Sequence, residues 1–235
     1  KTEFGYTLDQ TAYIAALKPI VCSDMVGRSA ELPAPPEAAQ TYLSLLMALA
    51  FTMLTRIDLS VYIIALQRHA QEPKTIHIRR LNALVRYAQR HPLKLEYRKM
   101  NPSDILEIHS DAGFRREEKE GESKGRAMRG ANFIRLGDTH GKQQHCHLID
   151  WQCSSLKTVT RSTFTSELQA CILAADAGLA LVLTMHEIKH GALKPLQSRQ
   201  FRDEGGLAVK IHLKIDAMSI ISALSASKVK APSEK

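Results

Sequence analysis

Cysteine and tryptophan are scarce in this 235-residue sequence, which has four cysteines and one tryptophan. Cys22, Cys146, Cys153 and Cys171 form no CxxC pair and are too few for a disulfide framework. This excludes a small fold held together by disulfides and favours a reducing compartment. We therefore expect an intracellular protein.

The sequence also lacks an initiator methionine and a predicted helix or strand at its C-terminal end. It begins with Lys1 and stops after residues 232–235, PSEK. We expect a chain of this kind to be a piece cut from a longer protein.

Acidic residues are outnumbered by basic ones, with 24 Asp and Glu against 32 Lys and Arg and a net charge of +8. Such an excess of positive charge indicates which partners the protein could bind and gives no information about the fold. It favours a polyanion such as a nucleic acid, although many soluble proteins are mildly basic.

Charged side chains are missing from residues 38–55. The stretch is near the lower length limit for a transmembrane helix and is diluted by Gln, Ser and Thr. We interpret it as a buried helix and expect no membrane contact.

A proline-rich stretch, residues 31–37, separates a short N-terminal piece from two helical patterns at residues 38–54 and 76–91. In the second pattern, apolar residues recur every three or four positions, which predicts an amphipathic helix with a basic back. The basic back contains Arg79, Arg80, Arg86 and Arg90. It is either a solvated face or a surface that contacts phosphates.

The period of the apolar residues changes to two after Pro92, which predicts strands. The first two predicted strands lie near residues 93–97 and just before Asp111. Residues 131–136 and 145–152 are predicted to form a hairpin around residues 137–141, and residues 207–215 a last strand.

A long helix is predicted between the hairpin and the last strand. It begins near Ser162 and Thr163 and ends at Gly191. Its predicted apolar side consists of Leu168, Ile172, Ala175, Leu179 and Val182. The order strand, hairpin, helix, strand, helix is typical of an α/β domain.

Three acids lie at the ends of these predicted elements. Asp111 ends a strand, Glu167 lies in the first turns of the long helix, and Asp216 ends the last strand. If they converge, their repulsion requires cations, and Mg²⁺ is a hard ion that needs few protein ligands. Two such ions roughly 4 Å apart can activate water and stabilise the leaving oxygen of a phosphodiester. The alternative is that Asp111 is an ordinary turn residue.

Several motifs in the first half of the chain resemble the Pol polyprotein of copia-type retrotransposons. Residues 6–14 (YTLDQTAYI) are similar to the "I.L.Q..YI" segment that follows the polymerase palm. Residues 54–58 (LTRID) are similar to the "TRPD" motif, with Ile57 in place of proline, and residues 81–87 (LNALVRY) to the "LKRVLRYL" helix end.

The resemblance continues in the same order through the second half. Residues 110–112 (SDA) resemble the family's "SDAD" strand end, and residues 151–162 resemble "WSSKKQ..VA.SS". Residues 165–168 (TSEL) stand in the place of "EAEY", and residues 215–219 (IDAMS) in the place of "DNQSA".

This resemblance implies three segments. Residues 1–37 would be the end of the reverse transcriptase thumb and a linker, residues 38–103 a helical connection segment, and residues 104–235 a C-terminally incomplete ribonuclease H-like domain. The implied fold class is α/β, a ribonuclease H-like mixed sheet with flanking helices. The polymerase aspartates of the family are not in this chain.

The resemblance also implies an activity. Asp111, Glu167 and Asp216 would be three of four acids that hold Mg²⁺, or Mn²⁺, for hydrolysis of the RNA strand of an RNA:DNA hybrid. The other implied partner is the remainder of the polyprotein, in a cytoplasmic particle or the nucleus. The nucleic-acid contacts would come from Arg79, Arg86, Arg90, Arg115, Arg116 and Arg129, although the last three, with Arg126, could also simply decorate a loop.

Two features depart from the family pattern. The only acid after Asp216 is Glu234, so the fourth metal-binding acid has no obvious candidate. The separation of Glu167 and Asp216 is long for a ribonuclease H and predicts an extended loop at residues 193–204. A catalytically inactive nucleic-acid-binding remnant is therefore the alternative function.

Two other patterns suggest zinc. His186, Glu187 and His190 form an HExxH sequence, the metallopeptidase arrangement, without a third-ligand extension. A zinc metallopeptidase is thus a third, less favoured function, and we interpret the motif as a solvated helix end. A second group consists of His140, His145, Cys146, His147 and Cys153. If these follow a strand, alternate side chains point to opposite faces and cannot form one tetrahedral site, so we interpret them as hairpin residues.

Overall fold

The computed structural model describes residues 5–113, 127–140, 143–160 and 162–226, without the side chains of His140 and Gln143. The chain divides into two compact units, which we call unit 1 (Lys1–Lys99) and unit 2 (Met100–Lys235).

Unit 1 is mainly helical. Strands β1 (Gly5–Leu8) and β2 (Leu95–Arg98) form an antiparallel pair, and the α-helices are α1 (Thr11–Ala16), α2 (Pro36–Phe51), α3 (Ser60–Gln67) and α4 (Thr75–Arg90). Short 3₁₀ turns cover Ser23–Met25, Thr52–Leu54 and Ile57–Leu59. The two long helical patterns of the sequence thus correspond to α2 and α4.

The core of unit 1 lies between α2, α3 and α4, with Tyr42, Leu46, Ile63, Leu81 and Val85 fully buried. Residues 1–37 contribute to the same core, because Ile14 belongs to it and Leu17 and Ile20 pack against it.

The interpretation of residues 38–55 as a buried helix is only partly right. One face of α2 is buried, but Leu43, Met47 and Phe51 on the other face are each about half exposed (49%, 52% and 54%). The reason is that α2 packs in unit 1 along one side only, so apolar content overstates its burial.

Arg56 is a fully buried cation in unit 1. Its Nε and Nη2 donate to the two carboxylate oxygens of Asp58 at 2.9 and 2.8 Å, and its Nη1 donates to the carbonyl of Ala88 at 3.1 Å. This fork joins the turn before α3 to the end of α4.

Unit 2 is a mixed α/β unit. Its strands β3 (Ile105–Gly113), β4 (Met128–His140), β5 (Gln143–Ser155) and β6 (Lys210–Lys214) form one sheet in the order β5-β4-β3-β6. The first three are antiparallel, and β6 is parallel to β3. Helices α5 (Thr163–His190), α6 (Pro195–Glu204) and α7 (Met218–Ser225) accompany the sheet. The predicted α/β class with a mixed sheet and flanking helices is confirmed.

Helix α5 packs on one face of the sheet, over Leu106, Ile108 and Phe133. The predicted apolar side is only partly right: Val182 is buried and Leu179 packs against the core, but Ile172 is 51% exposed. The buried positions are Ser166, Glu167, Ala170, Cys171, Ala174, Gly178, Val182 and His186. Because α5 is apolar around most of its circumference, the spacing of large apolar residues does not identify the packed side.

Small residues set how closely α5 approaches the sheet. A Cβ added at Gly178 would clash with Cδ1 of Ile108. A residue larger than glycine at position 178 would therefore require the buried Ile108 side chain to move.

The hairpin strands and the segment after α5 also differ from prediction. Strands β4 and β5 extend through the predicted turn, and their register shifts between Phe133 and Ile134 and again between Leu136 and Thr139. The predicted loop at residues 193–204 contains helix α6, with Pro195 at its first position and the Gln197 side chain accepting from the Lys194 N–H at 3.0 Å. These local start signals outweigh the polar composition.

Two helical stretches, Pro36–Leu54 and Thr163–His190, are long and apolar enough to cross a membrane by length and composition, a criterion that core helices also satisfy.

Candidate metal centre

Asp111 lies near the carboxyl end of β3. The buried residues of this strand alternate, with Leu106, Ile108, Ser110 and Ala112 on the covered face. Asp111 therefore belongs to the opposite, exposed face. Its neighbour across the β3–β4 pair is Gly130, which has no side chain to fill the space beside the carboxylate.

Asp216 reaches the same level from the neighbouring strand. The parallel register pairs Ile105 with Lys210 and His109 with Lys214. If this register is continued for two residues beyond His109 and Lys214, Asp216 lies beside Asp111. Two acids at corresponding positions of adjacent parallel strands come close together by the geometry of the sheet alone.

Glu167 comes from the first turns of α5. Ser162 caps this helix, its Oγ accepting from the Thr165 N–H at 3.1 Å, which fixes where the helix begins. The Glu167 side chain is buried, and its Oε2 accepts from the backbone N–H of Ala112 at 3.1 Å. This hydrogen bond ties the start of α5 to the end of β3.

The three carboxylates form a cluster, which we call the acidic triad (Asp111, Glu167 and Asp216). One oxygen of each lies within 4.8 Å of the others. No Lys, Arg or His in the described part of the chain forms an ion pair with any of them. Three carboxylates thus face one another with no cation from the described residues paired to them.

The electrostatics of Glu167 reflect this crowding. Burial raises the pKa of its carboxyl, and the charges of Asp111 and Asp216 raise it further, against the hydrogen bond from Ala112. Oxygen ligands with uncompensated negative charge suit a hard divalent cation such as Mg²⁺. The residues present therefore fit a metal site open to solvent on the side of Asp111 and Asp216.

A neighbouring acid, Glu107, was not singled out in the sequence. It lies on the same face of β3 as Asp111, and its carboxylate contacts Lys214 Nζ at 2.7 Å and His109 Nε2 at 2.6 Å. These contacts lower the pKa of Glu107, and the hydrogen bond from Lys214 has the largest effect. Its signal in the sequence is the two-residue alternation that also leads to Asp111.

Cys171 lies one turn after Glu167 on α5 and is buried. Burial and the nearby Glu167 raise the pKa of its thiol. A protonated thiol is a poor nucleophile and a poor metal ligand. Neither Cys171 nor Cys153 has a catalytic partner suggested by its sequence, and we assign no chemistry to them.

The predicted nucleic-acid-binding arginines fall in different places. Arg79, Arg86 and Arg90 lie on α4 of unit 1, and Arg115 and Arg116, with Arg126, lie outside the described residues. Arg129 is on β4, directly across from Ala112, and donates to the Gln152 side chain at 3.1 Å.

Two of the HExxH residues accept hydrogen bonds from backbone N–H groups that follow α5. His186 Nδ1 accepts from the Ala208 N–H at 3.3 Å, and Glu187 Oε1 accepts from the Leu193 N–H at 3.0 Å. With Nδ1 as acceptor, a neutral His186 carries its proton on Nε2 and offers no lone pair there. Within the described ranges, no third ligand joins His186 and His190 in a metal-binding group.

The hairpin residues with metal-ligand chemistry follow the alternation of β5. His145 and His147 are half-buried, whereas Cys146 between them is exposed. The nearest acid to His145 is Asp138, with Nδ1 and Oδ1 3.7 Å apart. Among residues whose side chains are described, this group assembles no metal site.

No protein-family model, curated protein or solved structure matches this chain.

Proposed function

We propose that unit 2 is a metal-dependent nuclease of the ribonuclease H type that hydrolyses the RNA strand of an RNA:DNA hybrid. The observation that carries this proposal is the acidic triad, whose three carboxylates meet within 4.8 Å without an ion-paired cation among the residues that the structure describes. A fold that needed only turn residues here would gain nothing from this repulsion.

The topology of unit 2 supports the proposal. Three antiparallel strands, a covering helix and a parallel return strand follow one another in the chain. This arrangement is compatible with the mixed sheet and flanking helices that the family resemblance implies. Asp111, Glu167 and Asp216 stand at the element ends where that resemblance has metal-binding acids.

The chain's own residues divide the work. Asp111 and Asp216, exposed at the end of the sheet, would hold divalent cations and leave room for substrate phosphate. Glu167, fixed by the Ala112 N–H, would supply the inner ligand. When bound, Mg²⁺ or Mn²⁺ supplies the activation of water and the stabilisation of the leaving oxygen.

Substrate recognition in this proposal rests on shape and backbone contacts. An A-form hybrid displays 2′-hydroxyls and phosphates in a wide minor groove, which proteins read with little sequence preference. The net charge of +8 favours such a polyanion. Arg129 is the described arginine of unit 2 that we select from the sequence as a candidate for this contact.

The test is cleavage of a labelled RNA:DNA hybrid by the full chain with Mg²⁺, with Mn²⁺ and with EDTA. Asp111→Asn should abolish metal-dependent RNA cleavage, whereas Asp176→Asn, an exposed Asp on α5, should leave it unchanged. Cleavage that survives Asp111→Asn would identify a contaminating nuclease and contradict the proposal.

A second candidate function is a nucleic-acid-binding remnant without turnover. It is favoured by the size of the metal-binding group, which contains three acids among the described residues, while Glu234 lies outside them. This function predicts salt-sensitive hybrid binding and no product with either metal.

A further inference from the structure

Helix α4 of unit 1 presents one exposed side. Its exposed residues are Arg79, Arg80, Ala83, Arg86, Tyr87 and Arg90. At about 100° per residue these positions occupy roughly one third of the helix circumference. The opposite side is buried through Ile78, Leu81, Val85 and Ala88.

Arg79 differs from the other arginines on this side. Its Nη2 donates to the carbonyls of Arg28 at 2.7 Å and Met25 at 3.3 Å, which ties α4 to the turn at Ser23–Met25. Arg79 therefore has a structural task, and its predicted role in nucleic-acid contact is not needed to explain it.

The remaining three arginines have no such task. In the described part of the chain, Arg80, Arg86 and Arg90 form no ion pair and no side-chain hydrogen bond. Two other exposed cations of unit 1 are paired, Lys94 with Asp9 at 2.8 Å and Arg98 with Glu96 at 2.7 Å. We call Arg80, Arg86 and Arg90 the arginine face.

The charge of the arginine face is not offset nearby. Helix α4 contains no acidic residue, and residues 5–99 carry 12 Lys and Arg against 7 Asp and Glu. The face extends about 15 Å from Arg80 to Arg90 at 1.5 Å per residue. A row of uncompensated guanidinium groups of this length is complementary to successive phosphates of a polynucleotide.

An aromatic side chain lies among these arginines. Tyr87 is 48% exposed, and its ring is 4.6 Å from that of His91. An exposed ring beside a basic row is the arrangement that stacks an unpaired base. No exposed aliphatic residue larger than Ala83 accompanies it on α4, so the surface lacks the apolar groups that insert into a lipid bilayer.

We propose that the arginine face binds the phosphates of a single-stranded nucleic acid, with Tyr87 stacking on one base. This site lies in unit 1 and does not depend on the nuclease proposed for unit 2. It makes unit 1 a nucleic-acid-binding unit whether or not the acidic triad catalyses a reaction.

Fluorescence anisotropy tests the proposal. It measures the binding of fluorescein-labelled RNA single strands of about 12 nucleotides to the full chain in EDTA. The variant Arg80→Gln/Arg86→Gln/Arg90→Gln should bind roughly tenfold more weakly or worse, and the slope of log K against log salt should fall by about two to three. The matched control Lys189→Gln/Arg199→Gln/Arg202→Gln removes the same charge from exposed positions of unit 2 and should bind within about twofold of wild type.

The stacking part of the proposal has its own variant. Tyr87→Leu should weaken single-strand binding by roughly fivefold or more and leave the salt slope unchanged. It should have little effect on a blunt RNA:DNA duplex of the same length, whose bases are already stacked. Equal losses on both substrates would overturn the assignment to unpaired bases.

Further outcomes separate the proposal from its alternatives. If the triple variant and its control lost the same affinity for single-stranded RNA, net charge alone would explain the binding and the proposal would be contradicted. Unchanged affinity in the triple variant would show that the arginine face is not the binding site. Loss of binding to anionic vesicles by the triple variant, with nucleic-acid binding retained, would assign the face to lipid. Asp111→Asn should bind like wild type, so a failed nuclease assay leaves this result intact. Circular dichroism of each variant verifies folding.

Discussion

Glu107 and Glu167 are both largely shielded glutamates of unit 2, in opposite electrostatic surroundings. Glu107 is held between Lys214 and His109, which lower its pKa. Glu167 faces two other carboxylates, and burial together with their charges raises its pKa. The fold has thus neutralised one acid and left the other in a repulsive cluster, the usual sign that local charge serves a site.

Replacing Glu167 should therefore stabilise the metal-free protein. Because Gln can still accept the Ala112 N–H but carries no charge, we expect Glu167→Gln to raise the free energy of unfolding of unit 2 at pH 7 by about 0.5–2 kcal/mol. Glu107→Gln is the matched comparison and should lower it by up to about 1 kcal/mol, since it loses the Lys214 ion pair. Urea unfolding in EDTA measures both, and equal signs would contradict the account.

The raised pKa of Glu167 also predicts a pH dependence. The folded chain binds this proton more tightly than the unfolded chain, whose Glu has the ordinary value of 4.5. The destabilisation is therefore absent below that value, grows as pH rises through it towards the folded pKa, and is complete above. Glu167→Gln should remove this decline, as urea unfolding between pH 4 and pH 7 in EDTA would show.

Asp58 matters for stability because it pairs with the fully buried Arg56. Asp58→Ala would leave that guanidinium with the Ala88 carbonyl as its remaining hydrogen-bond acceptor. We expect a loss of about 3 kcal/mol in the unfolding free energy of unit 1. Glu72→Ala, which removes an exposed acid of the same unit, should change stability by less than about 0.5 kcal/mol. A loss no larger than that of Glu72→Ala would show that the fork is not stabilising.

At the level of elements, the sequence predicts best where a local signal has one meaning. The amphipathic spacing of α4 and the Ser162 cap of α5 each place a helix within a residue or two. Prediction fails where the signal is degenerate. Helix α5 is apolar nearly all round, so its packed side is predicted only in part, with Val182 buried and Ile172 exposed. The polar composition of residues 195–204 obscures the helix start signals at Lys194 and Pro195.

The same limit applies to the candidate site. Asp111, Glu167 and Asp216 could be proposed because each stands at a predicted element end. The parallel register that brings two of them level is a tertiary property without a local signature. Gly130, which lies opposite Asp111, is likewise recognisable only once β3 and β4 are paired.

The close packing of α5 on β3 gives a prediction at this scale. Gly178→Ala should lower the unfolding free energy of unit 2 by about 1–3 kcal/mol, because the added methyl group meets Cδ1 of the fully buried Ile108. Ile108→Val removes that Cδ1, so the double variant should be more stable than the sum of the two single changes predicts. A double-mutant cycle by denaturant unfolding measures this coupling. Strict additivity would mean that the clash is relieved elsewhere.

For the whole molecule, the two units carry different assignments. The acidic triad lies in unit 2, and the arginine face lies in unit 1. Each unit has its own hydrophobic core, built from α2, α3 and α4 in the first and from the sheet and α5 in the second. Binding and proposed catalysis therefore rest on separate cores, and a substitution in one core should leave the other intact.

This separation predicts two responses in the unfolding of the full chain. Mg²⁺ at about 100 times its dissociation constant should stabilise unit 2 by roughly 2.7 kcal/mol, because it binds only the folded acidic triad. Unit 1 should not respond to Mg²⁺, and Asp58→Ala should shift unit 1 alone. The single Trp151, on β5 of unit 2, reports that unit by fluorescence, while far-ultraviolet circular dichroism reports both units. If Asp111→Asn retained the full Mg²⁺ shift of the Trp151 transition, the ion would bind elsewhere, and the acidic triad would lose its assignment as the metal centre.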